Sequence, residues 1–226
     1  MNKRRKDNFL FKFYRLVLGT VKYHKYKFVG LENIDEPCIL IANHLNSISP
    51  AQFSFYFPYQ FKIWANGEFF GGISSVYKAL HHYLRVKQKK SKFVAWLIAV
   101  IGTPWFWVDI KISQVIPTYD DARFYITISQ SVDELNSGGV VILFPEESET
   151  GYQDDMVTLK PGFIYLLDYL RMTNRNIPVI PAFVNKSSKT INIGQKINYE
   201  ELLNKNMEKE EILKYFADQM NNLYIK

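Results

Sequence analysis

The chain of 226 residues is poor in several of the groups that common chemistries need. It has one cysteine, Cys38, set in the apolar run CILIAN. A single thiol excludes an internal disulfide framework and a cysteine-rich metal centre, and it suits a reducing, intracellular setting; Cys38 reads as a small core residue. Histidine is scarce as well. His24, His44, His81 and His82 are the full set, and no spacing among them resembles a zinc site. His81 and His82 fall on an expected helix, where neighbours point about 100° apart and do not share a ligand easily. No G-x-G-x-x-G, phosphate loop or G-x-S-x-G occurs, so those routes to dinucleotide, nucleotide and serine-hydrolase chemistry are closed. Acids are outnumbered, 22 against 28 Lys and Arg, for a net charge of +6. The longest charge-free run, FVAWLIAVIGTPWFWV at 93–108, has sixteen residues. That falls short of the ~20 that usually span a bilayer, and Gly102 and Pro104 are expected to break it.

What the sequence does have is apolar and aromatic mass, 47% and 16%. It is a globular composition, with enough chain for a real core. The positive charge is concentrated. Residues 1–27 hold nine Lys and Arg against Asp7 alone, whereas residues 146–155 hold five acids and no base. Such a balance favours anionic surfaces. Residues 1–24 start basic and turn apolar, but Lys12 and Arg15 interrupt the apolar part and no small-residue cleavage site follows. They are expected to form a basic amphipathic helix, either a membrane-surface element or an ordinary docking helix. A second basic cluster, Lys87, Lys89, Lys90 and Lys92, precedes the 93–108 run, which holds three of the four tryptophans. That run reads as a buried helix, a re-entrant segment or a membrane-docking helix. A nucleic-acid partner is not expected: the basic residues are mixed with apolar aromatics and no nucleic-acid motif is present.

Elsewhere strand and helix signals alternate. YKFVG (26–30), CILIAN (38–43), FKIWAN (61–66), SQVIPTY (113–119), VVILF (140–144), IPVIPAFV (177–184) and KTINIGQKI (189–197) read as strands. Helices are expected from Pro50, over 73–88, 123–137, 161–174 and 207–224. The unbroken apolar run VVILF is what a buried parallel strand looks like. The expected fold is therefore α/β: one domain over 1–226, with a mostly parallel central sheet flanked by helices. Its parts are the N-terminal helix (1–24), a core (25–200) carrying an apolar helical insertion, and a C-terminal helix (201–226).

In open α/β sheets, sites form at the carboxyl ends of strands. Two strands end in polar chemistry. CILIAN delivers Asn43 and His44; VVILF delivers Pro145, Glu146 and Glu147. His44 is the histidine best placed for a chemical role, although on periodicity alone a lone histidine after a strand is more often a structural loop residue.

The blocks NHLNSISP, then VVILFPEESETG about 100 residues on, then LKPGF and IPVIPAFV, together resemble the glycerolipid acyltransferase family, the lysophosphatidate and glycerol-3-phosphate acyltransferases and their relatives. The likeness runs over roughly residues 25–200. It implies transfer of a fatty acyl group from a thioester to a hydroxyl of a lysolipid or glycerol phosphate, in phospholipid biosynthesis. His44 is then the general base, as suits a group whose pKa is near working pH. The family's aspartate, which orients the histidine, corresponds to Ser49, so its His-x4-Asp motif is degenerate in this chain. In the serine-protease triad, neutralising that group lowers turnover by ~10⁴. Glu146 or Glu147 is expected to support His44, with Glu146 as the further catalytic residue. The same likeness makes Asn43, Pro145, Glu147, Lys160 and Gly162 substrate-binding residues, and no metal is implied. Glu149 stands where the family has a phosphate-holding arginine, and Arg123 or Lys160 is the candidate cation. Expected partners are membrane lipids and a lysolipid acceptor. The donor is acyl-coenzyme A, acyl-carrier protein or acyl phosphate, with no bound cofactor. Expected placement is peripheral or monotopic, on the cytoplasmic face of the cell membrane. The other reading is a weak or inactive relative that binds lipid without turnover.

Overall fold

A computed structural model of the chain describes residues 4, 5, 12, 15, 16, 24–45, 48–86, 88–112, 114–146 and 159–224. Lys12, Arg15 and Leu16 are helical; the rest of the expected N-terminal helix, apart from Arg4, Arg5 and the residues from His24 on, lies outside the described residues. So do Glu147 and Glu149.

Among the described residues there are seven strands: β1 (Lys27–Val29), β2 (Cys38–Ala42), β3 (Phe61–Asn66), β4 (Val115–Thr118), β5 (Val140–Leu143), β6 (Val179–Asn185) and β7 (Thr190–Ile193). They form one sheet in the order β1-β7-β6-β2-β5-β3-β4. β2 pairs in parallel with β5 and β6, and β3 with β5. β1 runs parallel to β7, and β6 and β7 are antiparallel. The helices are α1 (Ile48–Tyr56), α2 (Ile73–Val86), α3 (Lys92–Ile112), α4 (Phe124–Asn136), α5 (Gly162–Met172), α6 (Tyr199–Asn204) and α7 (Lys209–Asn221). The fold class expected from the alternating pattern is the one observed: α/β, with a mostly parallel sheet and flanking helices. The chain divides into two compact units, one of residues 1–63 and 128–226, the other of residues 64–127.

The first unit explains the apolar runs. Every residue of β2, β5 and β6 is buried, as a parallel strand covered on both faces should be. It also accounts for much of the aromatic content. Phe53, Phe57, Phe61, Phe163, Phe183 and Phe216 are essentially inaccessible. Phe28, Phe53 and Phe57 meet one another edge-on or tilted at 5.7–5.9 Å between ring centres. Each such buried ring contributes about 1.5–3 kcal/mol of transfer free energy. α1 is tied down by Gln52, whose amide accepts from Tyr26 N–H and donates to the His24 carbonyl. α4 is held to β3 by Glu134, which accepts from the Gln60 amide and lies 3.6 Å from Lys62 Nζ.

Three local expectations are corrected. α1 begins at Ile48, two residues before the expected Pro50, which sits in the first turn where a missing N–H costs nothing. The C-terminal region is two helices and not one. Asn206 takes a left-handed φ of 56° after α6, and Glu208 N–H donates to Glu211 Oε2 at the start of α7. Thirdly, Gly102 and Pro104 do not break the 93–108 run. α3 is continuous through both. A proline there costs the bond to the Val100 carbonyl, and Val100 is exposed, so water can replace it. Cys38 is buried in β2 as expected, and desolvation pushes its thiol well above the usual range.

Candidate active site

The register of two neighbouring strands builds the site. β2 and β5 are adjacent and parallel, and Ile41 is the partner of Leu143. His44 and Glu146 each lie three residues past that pair, since 44 − 41 = 3 and 146 − 143 = 3. Two motifs about 100 residues apart in sequence thus end level with each other at the carboxyl edge of the sheet. The backbone N–H of His44 donates to Glu146 Oε2 at 2.9 Å. Glu146 therefore meets His44 through the main chain, whereas the sequence-based expectation is a stand-in for the aspartate that orients the ring. The ring itself packs edge-on against Phe144, 5.4 Å between centres. Phe144 in turn leans on Phe53 of α1 at 6.0 Å.

His44 keeps an open edge to solvent, yet protein atoms crowd the rest of the ring. This loss of hydration disfavours the imidazolium and lowers the pKa below the ordinary histidine value; a bond to its own backbone opposes the shift weakly. Partial burial moves Glu146 the other way, above the usual carboxylate range, with the His44 N–H opposing. Glu146 Oε1 is buried without a hydrogen-bond partner among the described residues. A neutral imidazole at the surface, beside a carboxylate with one uncommitted oxygen, can take a proton from a hydroxyl and hold the donor of that proton in place. The sign gives a pH prediction. A base must be unprotonated, so activity should fall as pH drops through the His44 pKa. The acid limb of kcat/KM is expected below ~6.5, the unperturbed histidine value. A midpoint at or above that value would remove His44 from the role.

Ser49 is fully buried at the start of α1, and its Oγ accepts from Leu45 N–H at 2.9 Å. The hydroxyl ties the turn after His44 to the helix. Asn43 is also fully buried. Its Nδ2 donates to the Val184 carbonyl at 3.2 Å and its Oδ1 accepts from Val184 N–H at 2.6 Å. The last β2–β6 partners are Ala42 and Ala182, so the Asn43 side chain continues the ladder where backbone pairing stops. Expected as a substrate-binding residue, Asn43 spends both ends of its amide on β6 and is a positioning residue. Pro145 is buried, and its carbonyl accepts from Lys160 N–H. Glu146 and Leu159 form an antiparallel bridge, so the chain that leaves the site at Glu146 returns to it at Leu159. This brings Lys160, which is exposed, and Gly162, the first residue of α5, to the same edge as His44. Among the described residues, no atom beyond the chain neighbours and the helix's own backbone lies within 4 Å of where a Gly162 Cβ would sit, which leaves open ground at that helix start. Glu147 lies outside the described residues.

Arg123, the other candidate cation, is engaged by Asp121 through Nε and Nη2, at 2.7–3.1 Å, and lies over the Tyr119 ring. Among the described residues no group of three His, Cys, Asp or Glu could hold a metal ion. A cavity of ≈ 200 Å³, lined by Leu167, Arg171, Arg175 and Asn198 among others, lies before the start of β6, at the opposite end of the strands from His44. Phe144 was visible in the sequence as the last residue of an apolar run. Its packing against the imidazole was not, because nothing local marks it.

These features define an α/β protein with a histidine and a carboxylate at the carboxyl ends of adjacent parallel strands. No family model matches the sequence, and no curated protein matches it. Among solved structures, the chain is similar to the 1-acyl-sn-glycerophosphate (LPA) acyltransferase PlsC from Thermotoga maritima. Identity is 15%, the match covers 93% of this chain and 78% of that one, and the TM-score is 0.47. A likeness of that degree carries no functional weight.

Proposed function

We propose that this protein is an acyltransferase that moves a fatty acyl group from a thioester-type donor to a hydroxyl of a lysophospholipid or glycerol-phosphate-like acceptor. The observation that carries the reading is the level pairing of His44 with Glu146 at the ends of β2 and β5. The neutral His44 imidazole takes the proton of the acceptor hydroxyl as its oxygen attacks the acyl carbonyl. The carbon–oxygen bond forms, the carbon–sulfur bond breaks, and the imidazolium returns its proton to the departing thiolate. Glu146 holds the His44 main chain with Oε2 and offers Oε1 to a hydroxyl of the acceptor. Lys160 is the cation for a phosphate on the acceptor, and Gly162 leaves room beside it. The donor is acyl-coenzyme A, acyl-carrier protein or acyl phosphate; with the last, phosphate leaves in place of the thiolate.

The purified protein should be assayed with these donors against lysophosphatidate-type, glycerol-phosphate and neutral acceptors. Turnover that depends on His44 supports the reading; lipid binding without turnover overturns it. A specific feature favours that second outcome. Ser49 brings no charge to the imidazole and already accepts from Leu45 N–H. Ser49→Asp tests it directly. One carboxylate oxygen can keep the Leu45 bond while the other supplies charge to His44. An increase in kcat/KM of about tenfold or more is expected, a part of the ~10⁴ that an orienting aspartate is worth in the protease triad. An unchanged rate marks a site rebuilt around a different partner, or one that has lost turnover.

A further inference from the structure

The unit of residues 64–127 carries a surface that the catalytic reading does not use. α2 and α3 form a helical hairpin. Their contact is made by small residues: Ala95 and Ala99 of α3 are buried, with Leu84, Leu80 and Tyr77 of α2 against them. A Cβ on Gly102 would come within 3.3 Å of Leu80. Spending small residues on the helix contact leaves the large ones outward. Phe93 is 68% exposed, Trp96 46%, Ile101 60% and Trp105 75%; Val94, Leu97, Ile98, Val100, Phe106 and Val108 are also exposed. A surface helix of a water-soluble domain normally shows a polar face. α3 shows none between Phe93 and Val108. Its polar counterpart is on α2, where Ser74, Lys78, His82 and Arg85 recur at helical spacing and are exposed.

Charge selects the occupant. Residues 73–108 contain six Lys and Arg and no Asp or Glu. Arg85, Lys89, Lys90 and Lys92 are exposed around the turn between the helices, next to the apolar face. A second copy of the chain would bring the same cations together. An anionic bilayer instead supplies apolar volume for the face and negative headgroups for the turn. The two exposed tryptophans suit the headgroup boundary, where an apolar ring with one N–H is most at ease. No helix among the described residues is long and apolar enough to cross a membrane. The charge-free run of sixteen residues spans about 24 Å, against a hydrocarbon core of ~30 Å.

We propose that the α2–α3 hairpin docks on an anionic lipid surface, with the outward face of α3 in the outer acyl region and Arg85, Lys89, Lys90 and Lys92 among the headgroups. The contact is independent of His44 and of acyl transfer.

The test is flotation of the full-length protein with phosphatidylcholine vesicles, with and without phosphatidylglycerol. Three of the four tryptophans lie on α3, so their emission reports this segment. Flotation with the anionic vesicles, a blue shift, and quenching by acyl-chain-brominated lipid are expected. Lys89→Ala/Lys90→Ala/Lys92→Ala should weaken binding about 100-fold, at roughly fivefold per lysine near the surface. Ile101→Ser/Trp105→Ser should weaken it at least tenfold with an unchanged far-ultraviolet circular dichroism spectrum. Absence of flotation, or binding and quenching indifferent to both variants, overturns the proposal. So does a dimer in sedimentation that Ile101→Ser/Trp105→Ser dissolves, since the face then belongs to a second copy. His44→Ala should float like the parent. An inactive protein that still floats defeats the acyl-transfer reading and leaves this one standing.

Discussion

Replacing His44 by alanine is expected to abolish acyl transfer while leaving the fold intact. The imidazole is the proton acceptor in the proposed step, and a positioned general base is worth about 10²–10⁴ in rate. Few variants separate chemistry from structure so cleanly, because the anchor at this residue is its backbone. Glu146 Oε2 accepts from the His44 main-chain N–H, and alanine keeps that N–H. What alanine loses is a ring that keeps an open edge to solvent and packs edge-on against Phe144. The stability change should stay within about 1 kcal/mol, in the range of substitutions away from the core. Thermal melting and the transfer assay on the same sample check both halves. Unchanged turnover would sink His44 as base; lost turnover with a collapsed melting transition would transfer the effect to folding.

The largest effect on stability is expected from Asn43→Ala. The side chain pairs with both the N–H and the carbonyl of Val184, and all three groups are shut away from water. Alanine leaves a donor and an acceptor buried and unpaired. At about 1–3 kcal/mol for each of the two stranded groups, the loss should be about 2–6 kcal/mol. At ~2–4 °C per kcal/mol for a chain of this size, that lowers Tm by about 4–24 °C. Asn43→Asp is the discriminating control. A carboxylate can accept from the Val184 N–H but cannot donate to its carbonyl, so it should rescue only part of the loss. Both variants should also lose activity, since Asn43 positions the residue that follows it. A melting temperature unchanged by Asn43→Ala would show that the end of β2 is held in place by other contacts.

The two variants divide the Asn-His pair that ends β2. One residue faces solvent and chemistry; the other faces the neighbouring strand. Alternation along an extended chain puts adjacent side chains on opposite sides, so one of the two was bound to point inward. Which one, and toward what, depends on β6, about 140 residues away in sequence.

Local signals were enough to set out the elements. CILIA and VVIL are continuous apolar runs of strand length, and the structure buries every residue of both. The two strand ends with polar chemistry were legible too, because Asn43-His44 and Pro145-Glu146 break those runs abruptly. The sequence by itself therefore determined an α/β chain with a histidine and a carboxylate at strand ends. It also determined a cation-rich segment, 73–108, without a single acid. Tertiary structure decided the rest. A run that is apolar at every position has no period of two, so nothing local sets its register against a neighbour. Pairing of Ile41 with Leu143 was needed to bring His44 level with Glu146. Pairing of β2 with β6 was needed to turn Asn43 from a candidate ligand contact into a clamp. The same holds for α3. Its composition fits a buried helix as well as an exposed one. Packing through Ala95 and Ala99 gave its small residues to α2 and left the large ones outward, because small side chains let two helices approach closely.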